Sequence, residues 1–517
     1  MKNKFLIVTL LVLGLNSCSK DFLNLNPDTS LSSASFFKNE TQFNQALIAS
    51  YSNLRGIASM GIYMDEMRSD NTFFTRYSAD RGSETSVEAM AEFLDNSTTS
   101  AEPNNPGNRY GNAYQGIAKV NTILDQIGKN EHGMEQQKED AISGEALFLR
   151  AFYYNDLVLH YGGVPLQLEE IVSEDGAVIP RNTATEVYDQ IISDLITAIP
   201  KLSVPTTFPQ SGRATKGAAK MLLAYAYMSK PTKEYAKAEA ELLDITKMNY
   251  SLMDNYSDVF DPSLKNNKES IFEIQYLSGN SEQQSNFIWR FIPKTTNTEA
   301  ILGLHGTNLR GGLTSGGWNV PTQELVDSYE IGDMRLPASI AVAEGIEEDE
   351  VFTTEAVKSV VDYTPTPGKT SYYFIKKYFH PPYAVEWNTD DNWSIYRYSG
   401  ALLLLAECQV QQNKTGDALP YINQVRDRAH LPLLEEVTMD AVENEMRHEL
   451  AFENHRWTDL IRQGNAIEAL NDKGVRLKEL YGWLLPSSFN VTENKLIYAI
   501  PDRELQINTN LIQNPGY

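Results

Sequence analysis

Apolar residues recur every three to four positions in eight stretches of this 517-residue chain, which restricts it to a mainly helical architecture. The stretches span 110–127, 139–161, 185–199, 216–229, 234–247, 394–412, 417–429 and 439–462, and helical patterning starts near Glu40. In the second stretch Leu147, Ala151, Tyr154 and Val158 form one stripe for burial. Two helix pairs share a finer signature. Leu223-Ala224 is followed twelve residues on by Ala236, and Leu405-Ala406 twelve residues on by Ala418. Small residues at both places let paired helices cross closely, as tetratricopeptide repeats require. The predicted fold is predominantly α, a tetratricopeptide-like helical-repeat scaffold.

Between 257 and 393 the helical period fades. The run from Ser270 through Ile271, Phe272, Glu273 and Ile274 to Tyr276 reads as a short strand. Glycines crowd at Gly303, Gly306, Gly311, Gly312, Gly316 and Gly317, and aromatics are dense. An irregular, loop-rich part with short strands is expected here. A second loop-rich stretch, 65–110, carries Asp70, Asn71, Phe73, Phe74, Tyr77, Arg81 and Arg109. Loops on a rigid scaffold are where binding residues concentrate.

Acidic residues number 68 against 44 basic ones, a formal charge of −24. That balance argues against nucleic acid as a partner, because phosphates need a basic footprint. It also disfavours polyanionic ligands, unless a local basic pocket overrides the average.

The N-terminus reads as a leader: Lys2 and Lys4, then an apolar run over 5–15 too short to span a bilayer. It ends in Leu15-Asn16-Ser17-Cys18, which resembles a bacterial lipobox. The resemblance implies removal of residues 1–17 and diacylglycerol on the Cys18 sulfur. Each buried methylene then adds about 0.8 kcal/mol of membrane affinity. Loss of the two lysines leaves 42 basic against 68 acidic residues, a charge of −26. Cys408 is the one other cysteine, so with Cys18 lipidated no disulfide forms and the fold rests on its core.

Several blocks, in order along the chain, resemble the SusD/RagB family of outer-membrane nutrient-binding lipoproteins. They include Glu145-Ala146-Leu147-Phe148-Leu149-Arg150-Ala151-Phe152-Tyr153-Tyr154, then Tyr161-Gly162-Gly163-Val164-Pro165-Leu166, and Pro180-Arg181 before Val187-Tyr188-Asp189. Gly212-Arg213-Ala214-Thr215-Lys216-Gly217 follows, then Ile422-Asn423-Gln424-Val425-Arg426, and Glu449-Leu450-Ala451-Phe452-Glu453-Asn454-His455-Arg456-Trp457. The ending, Ile500-Pro501 with Gln513-Asn514-Pro515-Gly516-Tyr517, matches too, although Asn508-Thr509 stands where the family has Asn-Pro. The resemblance implies four tetratricopeptide-like helix pairs and an irregular part bearing the ligand site. It implies a SusC-like TonB-dependent transporter as partner, an outer-membrane location facing the cell exterior, and oligosaccharide or polysaccharide as ligand without catalysis. Some members serve peptide uptake, so peptide or another nutrient is the alternative. On this reading 1–17 is the signal peptide, 18–39 a lipidated tether and 40–256 an N-terminal helical half. Residues 257–393 are the loop-rich insert and 394–517 the C-terminal helical part.

Sugar capture needs flat aromatic faces for pyranose C–H surfaces, and amides, carboxylates or guanidinium groups for the hydroxyls. The candidate platforms are Trp289, Trp318, Trp387 and Trp393. Trp318 follows Gly316-Gly317, where missing side chains would let a ligand approach the backbone. By family resemblance the N-terminal loop supplies Asp70, Asn71 and Arg81, with Phe73 and Tyr77 beside them. No cofactor, metal or catalytic set is expected. His448-Glu449 with His455 has a seven-residue histidine spacing where a helical zinc motif needs four, so Glu449, Glu453 and Arg456 read as a charge network and Trp457 as core. Asp254, Tyr256 and Asp258 start like a calcium loop, but Val259 replaces its glycine. A glycoside hydrolase would need two carboxylates of no fixed spacing, and Asp390-Asp391 is the pair to test.

Overall fold

The computed structural model describes residues 33–77, 82, 86–96, 105–279, 282–304 and 316–517. Cys18 and Arg81 lie outside the described residues.

Among the described residues, twelve helices of eight residues or more form the scaffold. Helices α1 (Glu40–Tyr51) and α2 (Asn53–Gly61) pack on α3 (Asn105–Lys129), which pairs with α4 (Gln136–Tyr161). Helix α5 (Ala184–Ala198) lies against α4, and α6 (Lys216–Ser229) pairs with α7 (Tyr235–Ile245). After the irregular part come α8 (Tyr398–Gln411) paired with α9 (Thr415–Arg428), then α10 (Met439–Glu449), α11 (Arg456–Gln463) and α12 (Ala466–Leu480). The molecule is predominantly α and of the tetratricopeptide-like class.

Helices α4 and α8 are central: from Ile142 to Val158 every residue of α4 is buried, as is Tyr398 to Gln409 of α8. The stripe of Leu147, Ala151, Tyr154 and Val158 is thus one face of a helix enclosed on all sides. Gly116 of α3 faces the Tyr153 ring, and a side chain there would overlap it.

The small-residue signature holds in one pair and shifts in the other. Ala406 and Ala418 are both fully buried, as is Ala224, but Ala236 is exposed and Ala238 takes its place in the core. The cause is the connection. Residues 412–414 join α8 to α9, whereas 230–234 join α6 to α7, two more residues that move the contact from twelve to fourteen positions on.

Two predicted helices are divided. The stretch 394–412 opens as strand β7 (Trp393–Arg397) before α8, because Trp393, Ile395 and Tyr396 favour a strand and the segment pairs with β2 (Ser270–Ile274). The stretch 439–462 breaks between α10 and α11, where Phe452 and Asn454 take positive φ values of 67° and 65°. Beyond these, β1 (Thr72–Phe73) pairs with β3 (Val320–Pro321). A three-stranded antiparallel sheet places β4 (Ile340–Glu348) between β5 (Val351–Ser359) and β6 (Thr370–Ile375). Two of these strands run nine residues, longer than the short runs expected of this part.

Candidate ligand-binding site

A cavity of about 730 Å³ opens where four distant segments meet: Phe73–Arg76, Val320–Asp327, Ser371–Tyr373 and Lys473–Trp483. Each segment is fixed by local chemistry. The β1–β3 pair sets Phe73 opposite Val320. Thr322 accepts a hydrogen bond from Leu325 N (3.2 Å), capping the short helix Gln323–Ser328 that carries Glu324 and Asp327. Strand β6 supplies Tyr372 and Tyr373. On α12, Lys473, Arg476, Leu477 and Leu480 follow at helical spacing, so one face of that helix forms a wall.

The walls are aromatic. Phe73 lies nearly parallel to Trp483, centroids 6.2 Å apart and planes at 15°, and to Tyr481 at 6.1 Å. Phe74 approaches Trp483 at 5.7 Å. Polar groups interleave with the rings. The Tyr373 hydroxyl donates to Gln323 Oε1 (3.0 Å), and Gln323 Nε2 donates to Asp327 (2.8 Å). Arg76 is exposed, its guanidinium carbon 5.4 Å from the Trp483 ring centroid.

Beneath the cavity the turn before Phe73 is pinned from α12. The buried Lys473 Nζ donates to Ser69 O (2.5 Å), Thr72 O (2.7 Å) and Met67 O (3.3 Å). Burial pushes this ammonium down to about 7, against the pull of Asp70. Burial also works against charge on Asp70, but Arg447 and Arg456 overcome it and hold that carboxyl well below the usual range. Arg456 grips Asp70 through Nε (2.8 Å) and Nη2 (2.9 Å), while Arg447 takes both Glu324 oxygens at 2.9 and 2.7 Å.

Of the residues singled out from the sequence, Phe73 reaches this cavity. Asp70 and Asn71 are buried in the charge network beneath it, Asn71 accepting from Arg447 Nε at 2.9 Å. Tyr77 is buried, its ring under Lys294 Nζ at 4.3 Å. Trp289 and Trp393 are core residues: Trp289 stacks against the half-buried Trp387 (5.9 Å), and Trp393 lies parallel to Tyr378 (5.0 Å, 10°). Trp318 is half-buried, edge-on to Tyr63 at 5.5 Å. The glycines before it serve backbone packing rather than ligand approach. A side chain on Gly316 would overlap the Ile292 carbonyl, and Gly317 N donates to that carbonyl at 2.6 Å. Arg109 sits within α3, clamped between Asp65 and Asp156.

Asp390 and Asp391 lie apart, on a second cavity of about 410 Å³ with His380 and Tyr383. Asp390 is paired with Lys265 (2.8 Å) and Asp391 faces His380 (3.2 Å). Glu449 and Glu453 form a buried charge network: Glu449 meets Arg335, Arg397 and Arg428, and Glu453 meets Arg397 and Lys377. Trp457 is fully buried. Among the described residues no three His, Cys, Asp or Glu side chains converge as a metal site.

A profile of the SusD family matches residues 268–517, and a second, described as starch-binding associating with outer membrane, matches 21–230. A SusD-like protein of Formosa agariphila is 24% identical, with 99% of each chain covered. The starch-binding protein SusD of Bacteroides thetaiotaomicron is 25% identical over 78% of this chain and 76% of its own. Among solved structures, a laminarin-binding SusD-like protein superposes with a TM-score of 0.73 at 26% identity, covering 93% of this chain and 100% of that one. Surface glycan-binding protein A of Bacteroides thetaiotaomicron, in complex with laminarihexaose, superposes at 0.70 with 22% identity, over 92% and 100% of the two chains. With both halves matched and the whole helical scaffold shared, this chain belongs to the SusD/RagB family.

Proposed function

We propose that this protein captures oligosaccharide or polysaccharide at the cell surface, without catalysis, and passes it to a SusC-like TonB-dependent outer-membrane transporter. The observation that carries the reading is the 730 Å³ cavity, whose Phe73, Tyr481 and Trp483 rings alternate with Gln323, Asp327 and Arg76. Aromatic faces take the C–H surfaces of sugar rings, and amide, carboxylate and guanidinium groups take hydroxyls. Glycan binding by the laminarin-binding relative supports the same class of ligand. Lipid on Cys18 would hold the protein at the outer membrane, in line with the outer-membrane association named for its N-terminal profile.

Affinity gel electrophoresis against a polysaccharide panel tests the proposal. Retardation by at least one glycan is expected, and Trp483→Ala should weaken it by about tenfold, equivalent to ~1.4 kcal/mol. Binding of peptides and of no carbohydrate would replace this reading with peptide capture.

A further inference from the structure

We propose that the ligand of the aromatic cavity is an acidic glycan, its carboxylate or sulfate groups meeting Arg76 and Arg476; this rests on glycan capture at that cavity. The whole chain carries a charge of −24, which repels anions at long range. The lining of the cavity reverses that sign. The exposed Arg76 and Arg476 line it beside Glu324 and Asp327, and the carboxylates are largely committed elsewhere.

Both oxygens of Glu324 are taken by Arg447, so Arg476 stands 3.7 Å away with part of its charge unanswered. Asp70, below, is shared between Arg447 and Arg456. Two carboxylates therefore face three guanidinium groups, Arg447, Arg456 and Arg476. Asp327 opposes the trend, but it is exposed at the rim and bonded to Gln323.

Arg76 is the clearest member of the set. It is exposed, packs over Trp483 and pairs with no carboxylate among the described residues. A guanidinium held over a tryptophan face is placed to meet an anionic substituent on a sugar stacked beside it. Its planar fork matches the two oxygens of a carboxylate or a sulfate. Within about 10 Å, one Debye length at moderate salt, this local field outweighs the diffuse charge of the rest of the surface.

Calorimetry with three hexasaccharide classes tests the assignment: oligogalacturonate as carboxylate, sulfated galactan fragments as sulfate, and laminarihexaose as the neutral comparison. Expected is tighter binding of one acidic class, weakening by about tenfold between about 50 and about 500 mM salt. Arg76→Gln and Arg476→Gln should each weaken that binding by about tenfold and lower its salt dependence, a larger loss than either causes for any neutral glycan. Which acidic class wins identifies the anion. Neutral binding that is tighter and insensitive to salt would overturn the acidic assignment and leave glycan capture standing. No binding of any glycan by the folded protein would overturn both.

Discussion

Glu66 and Lys473 hold the turn that delivers Phe73 to the cavity, and both are buried ionisable groups. Glu66 accepts from Asn71 Nδ2 (3.2 Å) and Asn454 N (3.1 Å). Burial pushes its carboxyl up to about 7 from an ordinary 4.5, with those hydrogen bonds opposing only in part. A raised carboxyl stabilises the fold fully below its unfolded value, and that contribution is lost as pH rises through the folded one. The shift corresponds to about 3 kcal/mol lost between roughly pH 4.5 and 7. Glu66→Gln removes the titration while keeping an acceptor. Urea titrations at about pH 5 and about pH 8 should show the mutant gaining on the parent by roughly 2–3 kcal/mol at the higher pH. An unchanged difference would mean that Glu66 titrates like an exposed carboxylate. At this scale the candidate site was only partly legible. Trp483 is the tryptophan, of six, that falls outside both the loop-rich insert and the family blocks, since Tyr481-Gly482-Trp483 follows a long amphipathic helix. Conversely Trp289 and Trp393 sit in an aromatic-rich segment that contributes core as well as surface. Composition alone does not separate those two uses of a ring.

Helices declared themselves by period, and their packing depends on details that period does not carry. The shift from Ala236 to Ala238 follows from a connection two residues longer, which is visible only once helix ends are known. Strand β7 was hidden because its five residues run directly into α8 and extend the same apolar stretch. Glycines on α3 show how close the helix approach is. Gly116 abuts the Tyr153 ring, which is anchored by its hydroxyl to Ser50 O (2.5 Å), whereas nothing lies near a side chain built on Gly111. Replacing a helical glycine by alanine favours the helix by about 1 kcal/mol. At Gly116 that gain is outweighed by overpacking of typically 1–3 kcal/mol or more. Gly116→Ala should therefore lower the melting temperature while Gly111→Ala raises it. Stabilisation by both would mean that α3 and α4 separate easily at this crossing.

The cavity is a property of the whole molecule, since its four segments lie between residues 73 and 483 and no helix pair alone contains it. The short helix Gln323–Ser328 is tied to α10 by the Glu324–Arg447 pair, and α10 is tied to the Phe73 turn by Asn71. Strand β6 enters through the Tyr373–Gln323 hydrogen bond, and α12 through Lys473. A ligand seated there touches elements from both ends of the chain, so its binding energy stabilises their mutual arrangement rather than one loop. At a free concentration of one hundred times Kd the gain is about 2.7 kcal/mol, enough to raise the melting temperature measurably. Hydrogen exchange distinguishes this from local capture. Amides at 73–76, 320–327, 371–373 and 473–483 should slow together on addition of a bound glycan, because each segment closes the same cavity. Slowing at 473–483 alone would place the ligand on the outer face of Tyr481 and Trp483, where both rings meet solvent without needing the other three walls.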